Sequence, residues 1–268
     1  MLQWMKPLSL IVDLSRSGRV LICLLAAGLL ITGCATSDKK KSEADMHMRM
    51  GTDHLNRGNY PSALKELLTA QELDPENELI QNNLGLVYFL RGKYELSEKH
   101  LGKAVELKPA FSEARNNHGR VLIELGQYER ATRELKSVIA DLTYGEPAKA
   151  WVNLGIAYYR KQDYKAALKS FTQGIEIDRN LCLGQDMYGR SLLELGDLAS
   201  AARALDNAVV ICKPMSFDEP NYFSGLTYYK LGKTSFAIAR MEEVLQLNKV
   251  NPSGRYAKKA ESLLKLMK

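Results

Sequence analysis

The chain has 268 residues, 46% of them apolar and 25% charged, ample length and hydrophobicity for a packed core. Its formal net charge is only +6. Acidic and basic residues alternate along it, without the basic stripe and interleaved aromatics that nucleic-acid binding requires, so the charges read as a solvated surface.

At the amino terminus Lys6, Arg16 and Arg19 precede an apolar run from Val20 to Ile31. The run is short for a bilayer span and has the form of a secretion signal. It closes on Ile31-Thr32-Gly33-Cys34, which resembles the bacterial lipobox. Residues 1–33 are therefore expected to be a signal peptide, with Cys34 the lipidated first residue of the mature chain; the alternative is an uncleaved anchor with an incidental cysteine. Acyl chains would hold the protein firmly, each buried methylene contributing ~0.8 kcal/mol. By resemblance to enterobacterial sorting, Ala35 after Cys34 favours the periplasmic face of the outer membrane. Residues 34–43, with Lys39, Lys40 and Lys41, read as a solvated tether. Removing the leader takes three basic residues and one acidic residue, leaving about +4 of the +6.

From there a period governs the chain. Gly51, Gly85, Gly119, Gly155, Gly189 and Gly225 are spaced by 34, 34, 36, 34 and 36 residues. With each glycine at position 8, a small residue recurs at position 20 (Ala63, Ser97, Ala131, Ala167, Ala201, Ala237) and a large apolar one at position 24 (Leu67, Leu101, Leu135, Phe171, Leu205, Met241). This is the tetratricopeptide pattern of paired antiparallel helices. The small positions lie where helix A and helix B cross and allow their backbones to approach. A second glycine at position 15 (Gly58, Gly92, Gly126, Gly196, Gly232, with Gln162 as the exception) ends helix A. The reading is an all-α, right-handed superhelical solenoid of six tetratricopeptide repeats over 44–251 (44–77, 78–111, 112–145, 148–181, 182–215 and 218–251). Residues 252–268, with Ala257, Ala260, Leu263, Leu264 and Met267 at helical spacing, form a capping helix.

In such an array the concave surface is built by helix A. Its expected partner-binding residues are Leu79, Asn82, Leu86 and Phe89 in the second repeat, Asn116, Arg120 and Ile123 in the third, and Val152, Ile156 and Tyr159 in the fourth. The asparagines would bond the main chain of a bound segment and the apolar groups would accept its side chains, while some of the set is expected to pack against neighbouring helices instead. The lysine-plus-asparagine carboxylate clamp of chaperone cochaperones is absent from these positions. Tyr222, Phe223 and Tyr229 crowd the last repeat, either as packing or as a separate contact patch.

Cys182 and Cys212 occupy positions 1 and 31 of the fifth repeat, which antiparallel packing brings to one end of the hairpin. In an oxidising periplasm they are expected to form a disulfide, the alternative being two buried thiols. His47, His54, His100 and His118 show no metal-ligand spacing, and no nucleophile elbow, phosphate loop or dinucleotide fingerprint occurs. The chain is read as a non-enzyme with no metal, no cofactor and no small-molecule substrate.

The lipobox, the six repeats, Asn82-Asn83-Leu84-Gly85 and Asn116-Asn117 in the second and third units, and the inserted Asp141-Leu142-Thr143-Tyr144-Gly145-Glu146-Pro147 before Ala150-Trp151-Val152-Asn153-Leu154-Gly155 together resemble the type IV pilus pilotin lipoproteins of the PilF, PilW and Tgl type. The resemblance implies a lipoprotein that binds secretin subunits through the concave face of its early repeats, here Asn82, Leu86, Phe89, Asn116 and Arg120, and promotes their assembly. The rival reading is a periplasmic scaffold for cell-wall enzymes or outer-membrane protein assembly.

Overall fold

The computed structural model of the chain describes residues 38–250 and 255–267. The leader and Cys34 lie outside the described residues. Among those described, every regular element is helical, and no helix is long and apolar enough to cross a membrane.

The chain divides into two compact units, one up to Glu76 and one from Asn77 onward. In the first, helix α1 (38–56) pairs with α2 (Tyr60–Leu73). A Cβ on Gly51 would come within 2.6 Å of Leu67 Cγ, so this glycine is what lets the leucine lie flat against α1. Ala44, Ala63, Leu67 and Ala70 are fully buried, and His47 Nδ1 meets Glu66 Oε2 at 2.7 Å. One expectation is corrected here: residues 38–43, read as part of a solvated tether, are exposed but helical. Lysine, serine and glutamate are adequate helix formers, and Lys39 and Glu43 stand one turn apart, so helix A of the first repeat extends back into the charged stretch.

The second unit contains α3 (Glu78–Leu90), α4 (Tyr94–Leu107), α5 (Ser112–Glu124), α6 (Tyr128–Ala140), α7 (Pro147–Arg160), α8 (Tyr164–Ile177), α9 (Cys182–Glu194), α10 (Leu198–Cys212), α11 (Glu219–Lys230), α12 (Thr234–Val250) and α13 (Ala257–Met267). Each odd helix from α3 to α11 packs on the even helix that follows, and each from α3 to α9 also on the next odd helix, so these odd helices together form one continuous face. The position-24 side chains fill the hairpins: Leu101, Leu135, Phe171, Leu205 and Met241 are all fully buried, each contributing ~2 to 3 kcal/mol of transfer free energy. Ser97, the one departure from alanine at position 20, satisfies its buried hydroxyl by donating to the Gly85 carbonyl at 2.7 Å.

The turns between paired helices use a left-handed residue at position 15. Gly126 has φ 73°, and Gln162, the exception to glycine, adopts the same conformation at φ 65°. The hairpin geometry imposes this backbone whether or not the residue favours it. Start signals are as local: the side chains of Asn77, Asp163 and Asp197 accept backbone N–H groups at the first turns of α3, α8 and α10.

Where repeats five and six meet, Asp206 accepts hydrogen bonds from Ser224 Oγ at 2.7 Å, Tyr228 OH at 2.5 Å and Arg240 Nη2 at 2.8 Å. Helix α13 then covers the end of the unit: Ala260 and Leu264 bury against Met241 and Val244, and Tyr256 stacks on Tyr222 with ring centroids 4.7 Å apart. Tyr222 and Phe223 are thus packing groups, whereas Tyr229 is 41% exposed.

Candidate protein-binding face

The odd helices carry the predicted site residues, and the structure sorts them into three groups. Leu79 is 40% exposed, and Leu86, Phe89, Ile156 and Tyr159 are half-buried. These form the apolar part of an accessible face, to which Leu90, 48% exposed, also belongs.

Ile123 and Val152 are core instead: Ile123 packs with Leu122, Leu135 and Leu154, and Val152 with Phe171 and Met187. Both lie on the side of helix A that meets the next repeat, so expecting them to contact a partner directly is corrected, although Val152 still borders a pocket described below.

The asparagines are the main correction. Asn82 and Asn116 are buried, 1% and 5% exposed; Asn82 has both ends of its amide bonded within the protein, and Asn116 keeps its nitrogen beside a pocket described below while its oxygen is taken. Asn117 Nδ2 donates to Asn82 Oδ1 at 3.1 Å, joining α5 to α3, and Asn153 Nδ2 donates to Asn116 Oδ1 at 2.9 Å, joining α7 to α5. A buried amide costs free energy unless its hydrogen bonds are met, and here neighbouring repeats meet them for each other. The ladder sets the register of one helix A on the next.

Arg120 leaves this ladder one turn beyond Asn116. Its guanidinium lies over the Phe89 ring at 4.7 Å, a cation–π contact between repeats three and two. Burial is the largest influence on it and holds its pKa below the ordinary arginine value, opposed by Glu124 on the same helix and by Tyr144. Tyr144, from the insertion, has a buried hydroxyl without a hydrogen-bond partner among the described residues, and burial pushes its pKa up to about 12. The insertion itself is tied to α5 by Ser112 Oγ, which donates to Asp141 Oδ2 at 2.5 Å. Asn116, Arg120, Lys149, Val152, Asn153, Leu181 and Leu183 line a cavity of about 290 Å³.

Further along the same face the chemistry changes. Asp186 holds the register of Asn82 and Asn116 but is a carboxylate, fully buried, with Oδ2 3.3 Å from Arg190 Nη1 and Oδ1 without a partner among the described residues. Burial pushes its pKa up to about 7 against the pull of Arg190. Arg190 sits 4.1 Å from the Phe223 ring centre and 5.4 Å from that of Tyr159. The pair was absent from the sequence-based set, yet its signal was present: Asp186 and Arg190 stand at positions 5 and 9, the register of Asn116 and Arg120.

Cys182 and Cys212 are bonded, their Cα atoms 5.0 Å apart, closing the fifth hairpin. Among the described residues no cluster of His, Cys, Asp and Glu could hold a metal ion.

Tetratricopeptide-repeat models match residues 51–90, 80–111, 148–181 and 184–207. The chain carries tetratricopeptide repeats, a fold whose stacked hairpins serve as protein-interaction scaffolds. Its sequence matches no curated protein. Among solved structures it is similar to PilW, a widely conserved type IV pilus biogenesis factor, with TM-score 0.72 and 18% identity over 81% of this chain and 97% of that one. It is also similar to Pseudomonas aeruginosa PilF, with TM-score 0.68 and 20% identity over 84% of this chain and 99% of the other. Cut9 of the APC/C hetero-tetramer Cut9–Hcn1 gives TM-score 0.71 at 16% identity, but only 45% of that chain is covered. At these identities the likeness is one of fold.

Proposed function

We propose that this protein is an outer-membrane lipoprotein adaptor of type IV pilus biogenesis, which binds secretin subunits on the face formed by its odd helices and promotes their assembly into the multimeric pore. The observation that carries the reading is the two-sided match in extent: PilW and PilF are covered over 97% and 99% of their lengths while the same matches span 81% and 84% of this chain, whereas TTC0263, covered over 99% of its length, spans 70% of this chain, and only 45% of Cut9 is covered. The Ile31-Thr32-Gly33-Cys34 stretch supplies the anchor by the same reading. Tethering the chain at the membrane raises the effective concentration of its binding face for secretin arriving there, so modest affinity suffices. Exposed Leu79 and Leu90 beside Phe89 would cover apolar segments of the monomer until the ring closes. No covalent chemistry is involved.

The double variant Leu79→Asp/Leu90→Asp changes exposed side chains and is expected to keep the melting temperature while abolishing co-purification of secretin and the appearance of secretin multimers on native gels. Wild-type amounts of multimer in that variant would overturn the reading. Cys34→Ala is expected to lose incorporation of a palmitate analogue and to leave the membrane fraction.

A further inference from the structure

The cavity bounded by repeats three, four and five is lined by two cations and no acidic side chain. The two cations are not equivalent. Lys149 is paired with Glu146. Arg120 has no carboxylate at ion-pair distance among the described residues; Glu124, one turn along, acts on it only as a nearby charge. Among the described residues it lies over the face of Phe89, with Tyr144 near enough to act on its charge. A half-buried guanidinium normally meets an anion, because its fork of donors loses water on burial and a ring face replaces only part of that solvation. Asn116 adds a donor to the same cavity, since its oxygen is already taken by Asn153 while its nitrogen has no partner among the described residues. The remaining wall is apolar: Val152, Leu181 and Leu183, the last 39% exposed.

We infer that Arg120, with Asn116 and Lys149 beside it, is the seat of an aspartate or glutamate side chain of the bound partner, whose neighbouring apolar side chains pack on Leu181 and Leu183. The inference rests on the reading of the odd-helix face as a protein-binding surface and specifies the chemistry of what lies there. Charge complementarity selects a carboxylate, and place selects a side chain over a chain terminus. Accessible apolar groups continue on both sides of the cavity, at Leu79, Phe89 and Leu90 on α3 and at Tyr159 on α7, so a segment following the face crosses Arg120 with an interior residue. A buried charge-assisted pair of this kind gives specificity as well as affinity, because a partner with a neutral or basic residue there leaves the guanidinium desolvated and unmatched.

The test uses the full chain in detergent, immobilised, and a random octapeptide library acetylated and amidated so that only side chains carry charge. The wild type is expected to enrich aspartate or glutamate flanked by apolar residues. Arg120→Met is expected to keep the apolar preference and lose the acidic enrichment by about tenfold or more, the weight of one charge-assisted contact, while Arg120→Glu is expected to turn the preference towards lysine and arginine. Wild-type selection of apolar peptides without acidic preference, or acidic preference undiminished in Arg120→Met, would overturn the inference and leave the protein-binding face standing. Retention only of peptides with a free carboxyl end would overturn it in favour of a chain terminus. Retention of no peptide by the wild type would overturn both readings. The wild-type selection is independent of how any variant folds.

Discussion

Repeats two and three, in the earlier half of the array, and repeat five, in the later half, place different chemistry at the same register of helix A. In the earlier repeats the position is held by Asn82 and Asn116, neutral amides bonded to the amides of adjoining helices. In the fifth it is held by Asp186, equally buried but ionisable, with half its oxygens unmatched and Arg190 as its counter-charge. A buried amide can be fully compensated by another amide at any pH. A buried carboxylate is compensated only by geometry that the structure supplies in part, so its cost depends on protonation. At this register the fold is therefore pH-indifferent in repeats two and three and pH-sensitive in repeat five, while His100 and His118, whose pKa values burial lowers, bring their own pH dependence elsewhere in the earlier repeats.

The largest expected effect strikes repeat five. Arg190→Met removes the cation paired with Asp186 and is expected to cost about 3 kcal/mol of unfolding free energy at pH 8, measured by urea denaturation, because an uncompensated charge is left in the core. At pH 5 the cost is expected to be much smaller, since Asp186 is then protonated. The sign follows from its pKa, raised from the ordinary 3.8 to about 7: the folded chain holds a proton that the unfolded chain releases, so this group's contribution is full below about pH 4 and is lost as pH rises through 7. Glu219 adds to the effect from α11 and Tyr159 and Tyr256 face Arg190. Asp186→Asn, which installs the amide of the earlier repeats, is expected to flatten the dependence of melting temperature on pH between 5 and 8.

Reduction of the Cys182–Cys212 bond also acts on the later half. With a sequence separation of 30 residues, its loss is expected to cost about 3 kcal/mol in the chain-entropy account, read as a lower urea midpoint in reducing buffer. An unchanged midpoint would show that the hairpin is already constrained without it.

In the earlier half the corresponding experiment is Asn153→Ala. It strips the buried Asn116 oxygen of its donor and is expected to cost about 1 to 3 kcal/mol, equally at pH 5 and pH 8. A pH-dependent loss would break the contrast between the halves. The smallest change lies between them, at Gln162. Gln162→Gly relieves a non-glycine residue at φ 65° and is expected to stabilise by about 0.5 kcal/mol, the strain released exceeding the entropy glycine adds to the unfolded chain.

The hairpins were legible because their determinants are local and periodic. Glycine at 8, a small residue at 20, a large one at 24 and a turn residue at 15 recur at a nearly fixed interval, and each describes contacts within one hairpin. The site was legible only in part. Leu79, Leu86, Phe89, Ile156 and Tyr159 reach the accessible face as their register implied, but Ile123 and Val152 turn into the core and the asparagines turn towards one another. Position 5 of helix A lies at the boundary between the open face and the seam with the next repeat. Which of these a side chain joins depends on the partner that the adjoining helix presents, and Asn117 and Asn153 are 35 and 37 residues from the amides they bond. The charged stretch after Cys34 departs from its expectation for the opposite reason: its composition suits a tether, but from residue 38 it continues a helix already nucleated by the first repeat.

By itself the sequence determined the repeat unit, the count of hairpins, the cysteine pair within one hairpin and the cap, since all of these follow from contacts closed inside a few dozen residues. Only the tertiary structure decided which polar groups of the odd helices are spent on holding one repeat to the next and which, like Arg120, are left facing a cavity with their charge unanswered. That division is set by packing between hairpins, where the free energy of a buried polar group is decided by its neighbour and not by its own residue type.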